Sequence, residues 1–264
     1  MDANDYAQVK ASIKRSFNID LEHYKDEQMK RRLDSWLVRA HIGTWKEYFH
    51  LLATDGKELE RFRNYLTINV TEFFRDPSRW ELVRQDILPY LIKNSKDNHQ
   101  IGGLKFWSAG CSIGTEAYSM AIMMDESAPI QKYSILATDL DRGALAKAKS
   151  CGPYSEDDIR GLSQAQRRKY LTATAPYHAV ESLKKNINFQ EQNLIADRFD
   201  TGFDLIVCRN VVIYFTAETK DKLYEKFSAA LRPGGVLFVG GTEIISGASK
   251  FGLQNFGISF YKKA

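Results

Sequence analysis

The stretch Phe203 to Phe215, FDLIVCRNVVIYF, in which a strand run Asp204 to Cys208 delivers Arg209 and Asn210 to its end, does most to narrow the folds open to this chain. A run of this length that is apolar but for Asp204 suits a parallel strand covered on both faces, because a half-exposed strand would alternate polar and apolar residues. The run is not alone. After the polar stretch Asn94 to Gly103, strand-like runs at Leu104 to Ala109, Tyr133 to Leu140, Ile187 to Leu194, Phe203 to Asn210 and Val236 to Gly240 alternate with helical patterns. Strands that alternate with helices predict an α/β fold with a parallel sheet. An amphipathic helix between Asp221 and Leu231 stops at Arg232, Pro233, Gly234 and Gly235, and Ile258 to Lys262 reads as an edge strand in a hairpin with residues near Leu253. The polar segment Tyr154 to Lys185 breaks the repeat and reads as an inserted subdomain, with a helix at Ser163 to Tyr170 and a short strand at Tyr170 to Ala173.

The first part of the chain has a different rhythm. Ile13, Phe17 and Leu21, then Met29, Leu33, Trp36 and Leu37, then Tyr48 to Leu66, recur at helical spacing, with breaks at Asn18 to Asp20, Ile42 to Thr44 and Thr54 to Gly56. This predicts a bundle of about four helices over residues 1–70, a linker and junction over 71–103, and an α/β domain over 104–264. The three cysteines, Cys111, Cys151 and Cys208, are odd in number and lack CxxC spacing, so neither a disulfide framework nor a structural zinc site is expected. The five histidines are scattered, and no metal site is expected. A net charge of +4 favours an acidic partner but lacks the dense clusters of a nucleic-acid binder. No apolar run reaches the roughly 18–20 residues that span a bilayer, and MDANDYAQVK lacks the pattern of a signal peptide, so a cytoplasmic protein without membrane insertion is expected.

Ligands of parallel sheets sit beyond the carboxyl ends of the strands, so the residues there carry the chemistry. The turn Ser108 to Gly114 joins the first strand to a helix that carries Glu116. Gly110 permits a sharp turn, which serves either the fold or the close approach of a cofactor. Asp139 ends the second strand 25 residues after Gly114, about where an acid accepts hydrogen bonds from ribose hydroxyls. Asp141 is the alternative cap for the next helix. Asn193 closes the third strand, where its amide either reads an adenine edge or supports the turn. Asn210 and Tyr214 follow the fourth. At the junction, NVTEFFRDP (Asn69 to Pro77) offers Thr71 to a cofactor and Arg75 to a carboxylate, which a guanidinium grips with two hydrogen bonds. Lys25, Lys30, Arg31, Arg32 and Arg39 make the second helix and its flank basic, either as a solvated face or as a docking surface for an acidic helical partner. There is no Walker-type loop, which removes P-loop NTPases.

With NVTEFFRD, FWSAGCSIGTEAYS (Phe106 to Ser119), ILATDLD (Ile135 to Asp141), CRNVVIYF (Cys208 to Phe215) and LRPGGVLFVGGTE (Leu231 to Glu243) in view, the chain resembles the CheR-type chemotaxis receptor methyltransferases over essentially its whole length. The resemblance implies a class I S-adenosylmethionine-dependent methyltransferase fold. Its parts would be a Rossmann-like, mainly parallel seven-stranded sheet, a small N-terminal helical domain and an inserted antiparallel β-subdomain at about 170–193. It implies protein-glutamate O-methylation of helical chemoreceptor cytoplasmic domains, by a monomer recruited to membrane-bound receptors.

The same resemblance places Asn69, Thr71, Arg75, Gly110, Glu116, Asp139, Asn193, Leu194, Asn210 and Val211 at the cofactor, with Arg75 and Tyr214 at the reacting groups. Ile113, Thr115 and Ala117 depart from the threonine, glutamate and proline often found in the family's loop. LTATAPYHAVESLKKN lacks the glycine-containing loop that captures a receptor pentapeptide in some members, so a pentapeptide-independent type is expected. The rival readings are a methyltransferase acting on a small molecule or nucleic acid, and a module that senses the cofactor without transferring a methyl group.

Overall fold

The computed structural model describes residues 1–67, 70–97 and 102–264. The chain divides into two compact units, Met1–Ile68 with Val211–Lys222, and Asn69–Asn210 with Leu223–Ala264.

In the first unit the breaks in periodicity become helix ends. Helix α1 (Ala3–Phe17) starts on the Asp2 side chain, which accepts from the Asp5 amide, and ends at Asn18 in the left-handed region. Helix α2 (Asp26–Arg39) follows, then α3 (Trp45–Thr54), opened by a Thr44/Glu47 capping box, and α4 (Gly56–Leu66), capped by Asp55. Val9, Ile13 and Phe17 form one apolar stripe of α1 and are buried with Leu33, Trp36, Tyr48 and Phe62. A polar chain in this core is satisfied: Trp36 Nε1 donates to Tyr48 Oη at 2.6 Å, and Tyr48 Oη donates to Glu58 at 2.8 Å. Residues 211–222 join this unit through backbone pairing. The Lys25 amide donates to the Tyr214 carbonyl at 2.9 Å, the Thr216 amide donates to the His23 carbonyl at 3.0 Å, and the rings of Tyr24 and Phe215 meet edge to face.

The second unit holds a seven-stranded sheet in the order β3-β2-β1-β4-β5-β7-β6. Strands β1 (Leu104–Ala109), β2 (Tyr133–Asp139), β3 (Ile187–Glu191), β4 (Phe203–Cys208) and β5 (Leu231–Val239) are parallel, and β6 (Leu253–Gly257) and β7 (Phe260–Lys263) form the expected hairpin, antiparallel to β5. All six residues of β4 are buried, as its sequence requires. The pleat sends neighbouring side chains of β1 to opposite faces. Phe106 lies in the core with Tyr118 and Ile122 of α7 (Thr115–Ser127), while Trp107 stacks on Phe203 and meets Phe227 of α12 (Ala217–Ala230). The order of the strands reverses between β1 and β4, which opens a crevice at their carboxyl ends.

Two expectations change. Residues 77–97, read as part of a linker, form helices α5 (Pro77–Leu82) and α6 (Leu88–Asp97) joined by one wide turn, and Trp80, Val83, Ile87, Leu88 and Leu91 are buried in the second unit. Their 3–4-residue spacing makes an inward stripe, so this segment belongs to the core. The inserted antiparallel β-subdomain at 170–193 is not formed as such, because residues 187–191 are β3 of the main sheet. Between 150 and 186 the described residues hold short helices, α9 (Glu156–Ile159), α10 (Gln164–Tyr170) and α11 (Glu181–Lys184), beyond α8 (Arg142–Lys149). The only β pairing there is the isolated antiparallel bridges Tyr154↔Tyr177 and Leu171↔Ala179. The strand expected at Tyr170 to Ala173 is thus a single bridge. Pro176 has no amide to donate and the loop Thr172 to Pro176 is polar, so the pairing does not extend.

Candidate active site

The first half of the site is the turn between β1 and α7. Gly110 lies at φ +88°, and its amide and that of Cys111 donate to the Thr138 carbonyl at 2.8 and 2.9 Å, which ties the β1 turn to the end of β2. Asp139, next along β2, accepts from the Ser112 amide at 2.7 Å and from the Asp141 amide at 2.9 Å. Capping of α8 falls to Asp141, which accepts from Ala144. Asp139 is therefore not a helix cap but a half-buried carboxylate at the tip of its strand. Glu116, in the first turn of α7, accepts from Ser108 Oγ at 2.7 Å and has the Arg209 guanidinium 4.0 Å away. Cys111 lies beneath this turn fully buried, with its thiol pushed well up by desolvation, so a reactive surface thiol is absent here.

The second half is the segment 70–76, held down by groups far away in sequence. The Arg209 guanidinium, 2% exposed, donates to the Arg75 carbonyl at 2.9 Å, pairs with Asp76, and lies 4.8 Å over the Phe238 ring. The Phe74 amide donates to Ser119 Oγ at 2.8 Å, and the Phe73 amide to the Asp158 carbonyl at 2.8 Å. A Cβ on Gly161 would lie 1.9 Å from the Phe73 carbonyl oxygen, so only glycine allows this approach. The segment delivers Thr71 to within 2.6 Å of Thr115 Oγ1 and braces Arg75, whose Nη1 donates to the Val70 carbonyl at 2.7 Å. Asn69 lies outside the described residues.

Asn210, just past β4, sits at φ +59° with its amide on the Glu243 carboxylate at 3.2 Å. Its side-chain Oδ1 is buried with no hydrogen-bond partner among the described residues. Glu243 is itself buried and also accepts from the Gly240 amide. Asn193 places Oδ1 on the amides of Ile195 and Ala196, at 2.9 and 3.2 Å, so this oxygen supports a turn and its amide nitrogen is the group left to face outward. Leu194 beside it is buried. Val211 and Tyr214 belong to the first unit, where Tyr214 ends a short 3₁₀ turn.

Burial raises both carboxylates at this end of the sheet. Desolvation lifts Glu116 to about 7, against the opposing pull of Arg209 and Ser108, and lifts Asp139 to about 6, against its two amide donors. Such groups call for a ligand that brings positive charge and hydroxyl donors.

A cleft of about 460 Å³ in the first unit is lined by Gln28, Arg31, Arg32, Ser35, Arg39, Tyr65, Ile213 and Tyr214. Residues 28, 32, 35 and 39 follow helical spacing, so one stripe of α2 faces the cleft. Arg32 lies 4.7 Å over the Tyr65 ring and donates to the Tyr65 carbonyl. The basic residues named from sequence thus divide. Arg31, Arg32 and Arg39 line the cleft, whereas Lys30 lies 4.8 Å over the Tyr6 ring and Lys25 is an exposed residue at the start of α2.

A family model described as "CheR methyltransferase, SAM binding domain" matches residues 69–258, and one described as "CheR methyltransferase, all-alpha domain" matches residues 4–67. The chain belongs to the CheR methyltransferase family. Among its CheR relatives, the chemotaxis protein methyltransferase of Listeria innocua is 41% identical over 98% of this chain and 97% of its own length. That of Borreliella burgdorferi is 34% identical over 88% of this chain and 85% of its own length. Among solved structures, PKMT2 from Rickettsia typhi in complex with AdoHcy aligns with a TM-score of 0.35 and 20% identity over 52% of this chain and 21% of that one, too slight a likeness to carry an argument. This CheR chain is an S-adenosylmethionine-dependent methyltransferase of chemotaxis.

The residues present fit that cofactor on two counts. Glu116 and Asp139 are desolvated carboxylates that an ammonium group and ribose hydroxyls would satisfy. Asn210 Oδ1 is a buried acceptor still open to a donor. Sequence reasoning gave no role in the site to Arg209, Ser108, Thr115 or Glu243. Arg209 and Glu243 stand inside motifs that the sequence singled out, but only the fold reveals what they hold. No helix among the described residues is long and apolar enough to cross a membrane.

Proposed function

We propose that this methyltransferase esterifies the side-chain carboxylates of specific glutamates in the helical cytoplasmic domains of chemoreceptors, giving glutamyl methyl esters. The observation that carries this reading is the basic stripe of Arg31, Arg32 and Arg39 in one cleft with Tyr214. An acidic, helical substrate matches that stripe in charge and repeat, and charge complementarity steers encounter. Tyr214 is borne by the same unit through the Lys25 and Thr216 backbone bonds.

When bound, the cofactor supplies a methyl group activated by its sulfonium charge, which passes to a carboxylate oxygen and leaves a neutral thioether. Glu116 would hold its ammonium group, Asp139 its ribose, Asn193 and Leu194 its adenine, and Thr71, Gly110, Asn210 and Val211 would line the remainder, with Asn69 close by. The substrate glutamate, with an ordinary pKa of about 4.3, is already ionised at neutral pH, so the chain need supply no general base. Its task is alignment and exclusion of water. Arg75 would orient the carboxylate, and Tyr214 would pack near the transferring methyl. The enzyme would work in the cytoplasm as a monomer at membrane-bound receptors, without a pentapeptide tether.

Methyl-labelled cofactor incubated with chemoreceptor-containing membranes tests the proposal. Receptor label released as methanol by mild base supports glutamyl ester formation. Label absent from receptors while the protein binds S-adenosylhomocysteine would move the activity to another substrate or to cofactor sensing.

A further inference from the structure

The loop after β3 is closed around one ammonium group. Lys226 Nζ donates to the carbonyls of Leu194, Ile195 and Asp197 at 2.7, 3.2 and 2.8 Å, which uses all three of its N–H bonds. The Phe199 ring covers it at 4.1 Å and packs in turn on Trp107 and Phe227. The loop also binds itself. The Asn193 amide donates to Asp197 Oδ2 at 2.8 Å, and the Asp197 amide donates to the Asn193 carbonyl at 2.9 Å. At its start the Gln192 amide donates to the Asp139 carbonyl at 2.9 Å, so the loop leaves the sheet beside the carboxylate assigned to the ribose.

We infer that Lys226 is a positioning residue for the cofactor's adenine: its ammonium group fixes the backbone of residues 194–197 and thereby sets where Leu194 and the Asn193 amide nitrogen meet the base. The inference rests on the assignment of Asn193 and Leu194 to the adenine. Three carbonyls converge on one nitrogen, which a compact ammonium satisfies and a planar guanidinium, with its donors spread over a fork, does not. A lysine is half-buried here at a cost in solvation, since burial pulls its pKa down. The return is a loop whose shape is held by an element other than its own strand.

The experiment compares wild-type, Lys226→Met, Lys226→Arg and Leu194→Ala protein in full-length form, by calorimetric titration with S-adenosylhomocysteine and with its inosine analogue, whose N1 carries a hydrogen and so cannot accept from the Asn193 side-chain nitrogen. Wild-type protein is expected to prefer the adenosyl compound. Lys226→Met should weaken the adenosyl compound about tenfold and the inosyl compound far less. It should raise the KM for S-adenosylmethionine with kcat at saturation within about twofold, and Lys226→Arg should not restore the preference. Asp197→Ala, at an exposed position, should give a smaller loss of the same kind and serves if Lys226→Met does not fold. Wild-type discrimination retained in both Lys226→Met and Asp197→Ala, or restored in Lys226→Arg, overturns the inference while Leu194→Ala still loses affinity. If Leu194→Ala binds both compounds as wild type does, the adenine assignment itself falls and the inference with it.

Discussion

Replacing Glu116 with glutamine should make the ligand-free protein more stable and the enzyme worse. In the folded chain the Glu116 carboxyl is lifted from its ordinary 4.5 to about 7, chiefly by desolvation. A raised carboxyl pKa means that the folded state favours the protonated form. The stabilisation of that form is fully present below about pH 4.5 and is lost as pH rises through 7. At pH 8 the ionised side chain costs about 3 kcal/mol relative to the unfolded chain, at roughly 1.4 kcal/mol per pKa unit. Glutamine keeps the shape and an oxygen for Ser108 Oγ, and removes that cost. The 4.0 Å contact to Arg209 offsets little, because Arg209 retains Asp76 and the Arg75 carbonyl. Thermal unfolding followed by circular dichroism should place the midpoint of Glu116→Gln roughly 6–12 °C above wild type at pH 8, a gap that closes toward pH 5. S-Adenosylhomocysteine should bind the variant at least tenfold more weakly at pH 8, from loss of a charged hydrogen bond of about 1.5–3 kcal/mol. Wild-type affinity should itself fall about tenfold per pH unit below 7, as the carboxylate that receives the ammonium group is protonated. A midpoint difference that stays constant from pH 5 to pH 8 would refute the assignment of the strain to this carboxylate.

Gly161→Ala puts a methyl group 1.9 Å from the Phe73 carbonyl oxygen, so it should cost about 2–4 kcal/mol in chemical denaturation, and methyl transfer should drop with it as the segment carrying Thr71 and Arg75 is pushed off. Arg209→Met strips the buried clamp from Asp76 and Glu116 and should destabilise by about 3–5 kcal/mol. Arg209→Lys should recover only part of this, because one ammonium cannot reach both the Arg75 carbonyl and Asp76 as the guanidinium fork does. Arg31→Glu combined with Arg39→Glu should raise the KM for receptor fragments tenfold or more at low salt, an effect shrinking as ionic strength rises, with S-adenosylhomocysteine affinity unchanged. An equal loss at 0.5 M salt would count against an electrostatic stripe.

What could be read ahead of the structure follows the range of the interactions involved. Strands β1, β2, β4 and β5 show as apolar runs because burial on both faces is a local demand on composition, whereas β3, INFQE at the edge of the sheet, alternates; Asp139 shows because strand length and turn length fix its distance from the glycine turn. Arg209 was visible as a residue delivered to a strand end, but its partners lie 133 and 134 positions earlier, at Asp76 and Arg75. No periodicity encodes such a pairing. Gly161 was silent for the same reason, since a glycine needed for a neighbour's approach looks like any loop glycine. The region 77–97 was read as linker because it lies between the junction motif and the polar stretch Asn94 to Gly103, and the other half of its apolar stripe is the sheet. Within α2, charge counting named five basic residues together, whereas the helix turns Arg31, Arg32 and Arg39 into the cleft and sends Lys30 to Tyr6.

The buried and half-buried charges make one argument when taken together. Arg209, Lys226, Glu243 and Asp139 each spend hydrogen bonds on backbone groups of a loop at the carboxyl end of the sheet: the carbonyls of Arg75, of Leu194, Ile195 and Asp197, and the amides of Gly240 and Asn210, and of Ser112 and Asp141. Apart from the bonds of Glu243 to Gly240 and of Asp139 to Asp141, each ties a loop to another element, which gives a rigid rim without burying apolar surface where a polar ligand must enter. Glu116 differs. Its polar contacts are a side-chain hydroxyl and a distant guanidinium, desolvation raises its pKa to about 7, and it sits in the first helical turn after the glycine bend. A carboxylate left short of partners amid loops so fully tied is the position at which a cationic group of the cofactor contributes most, because the ion's own solvation has already been given up in folding.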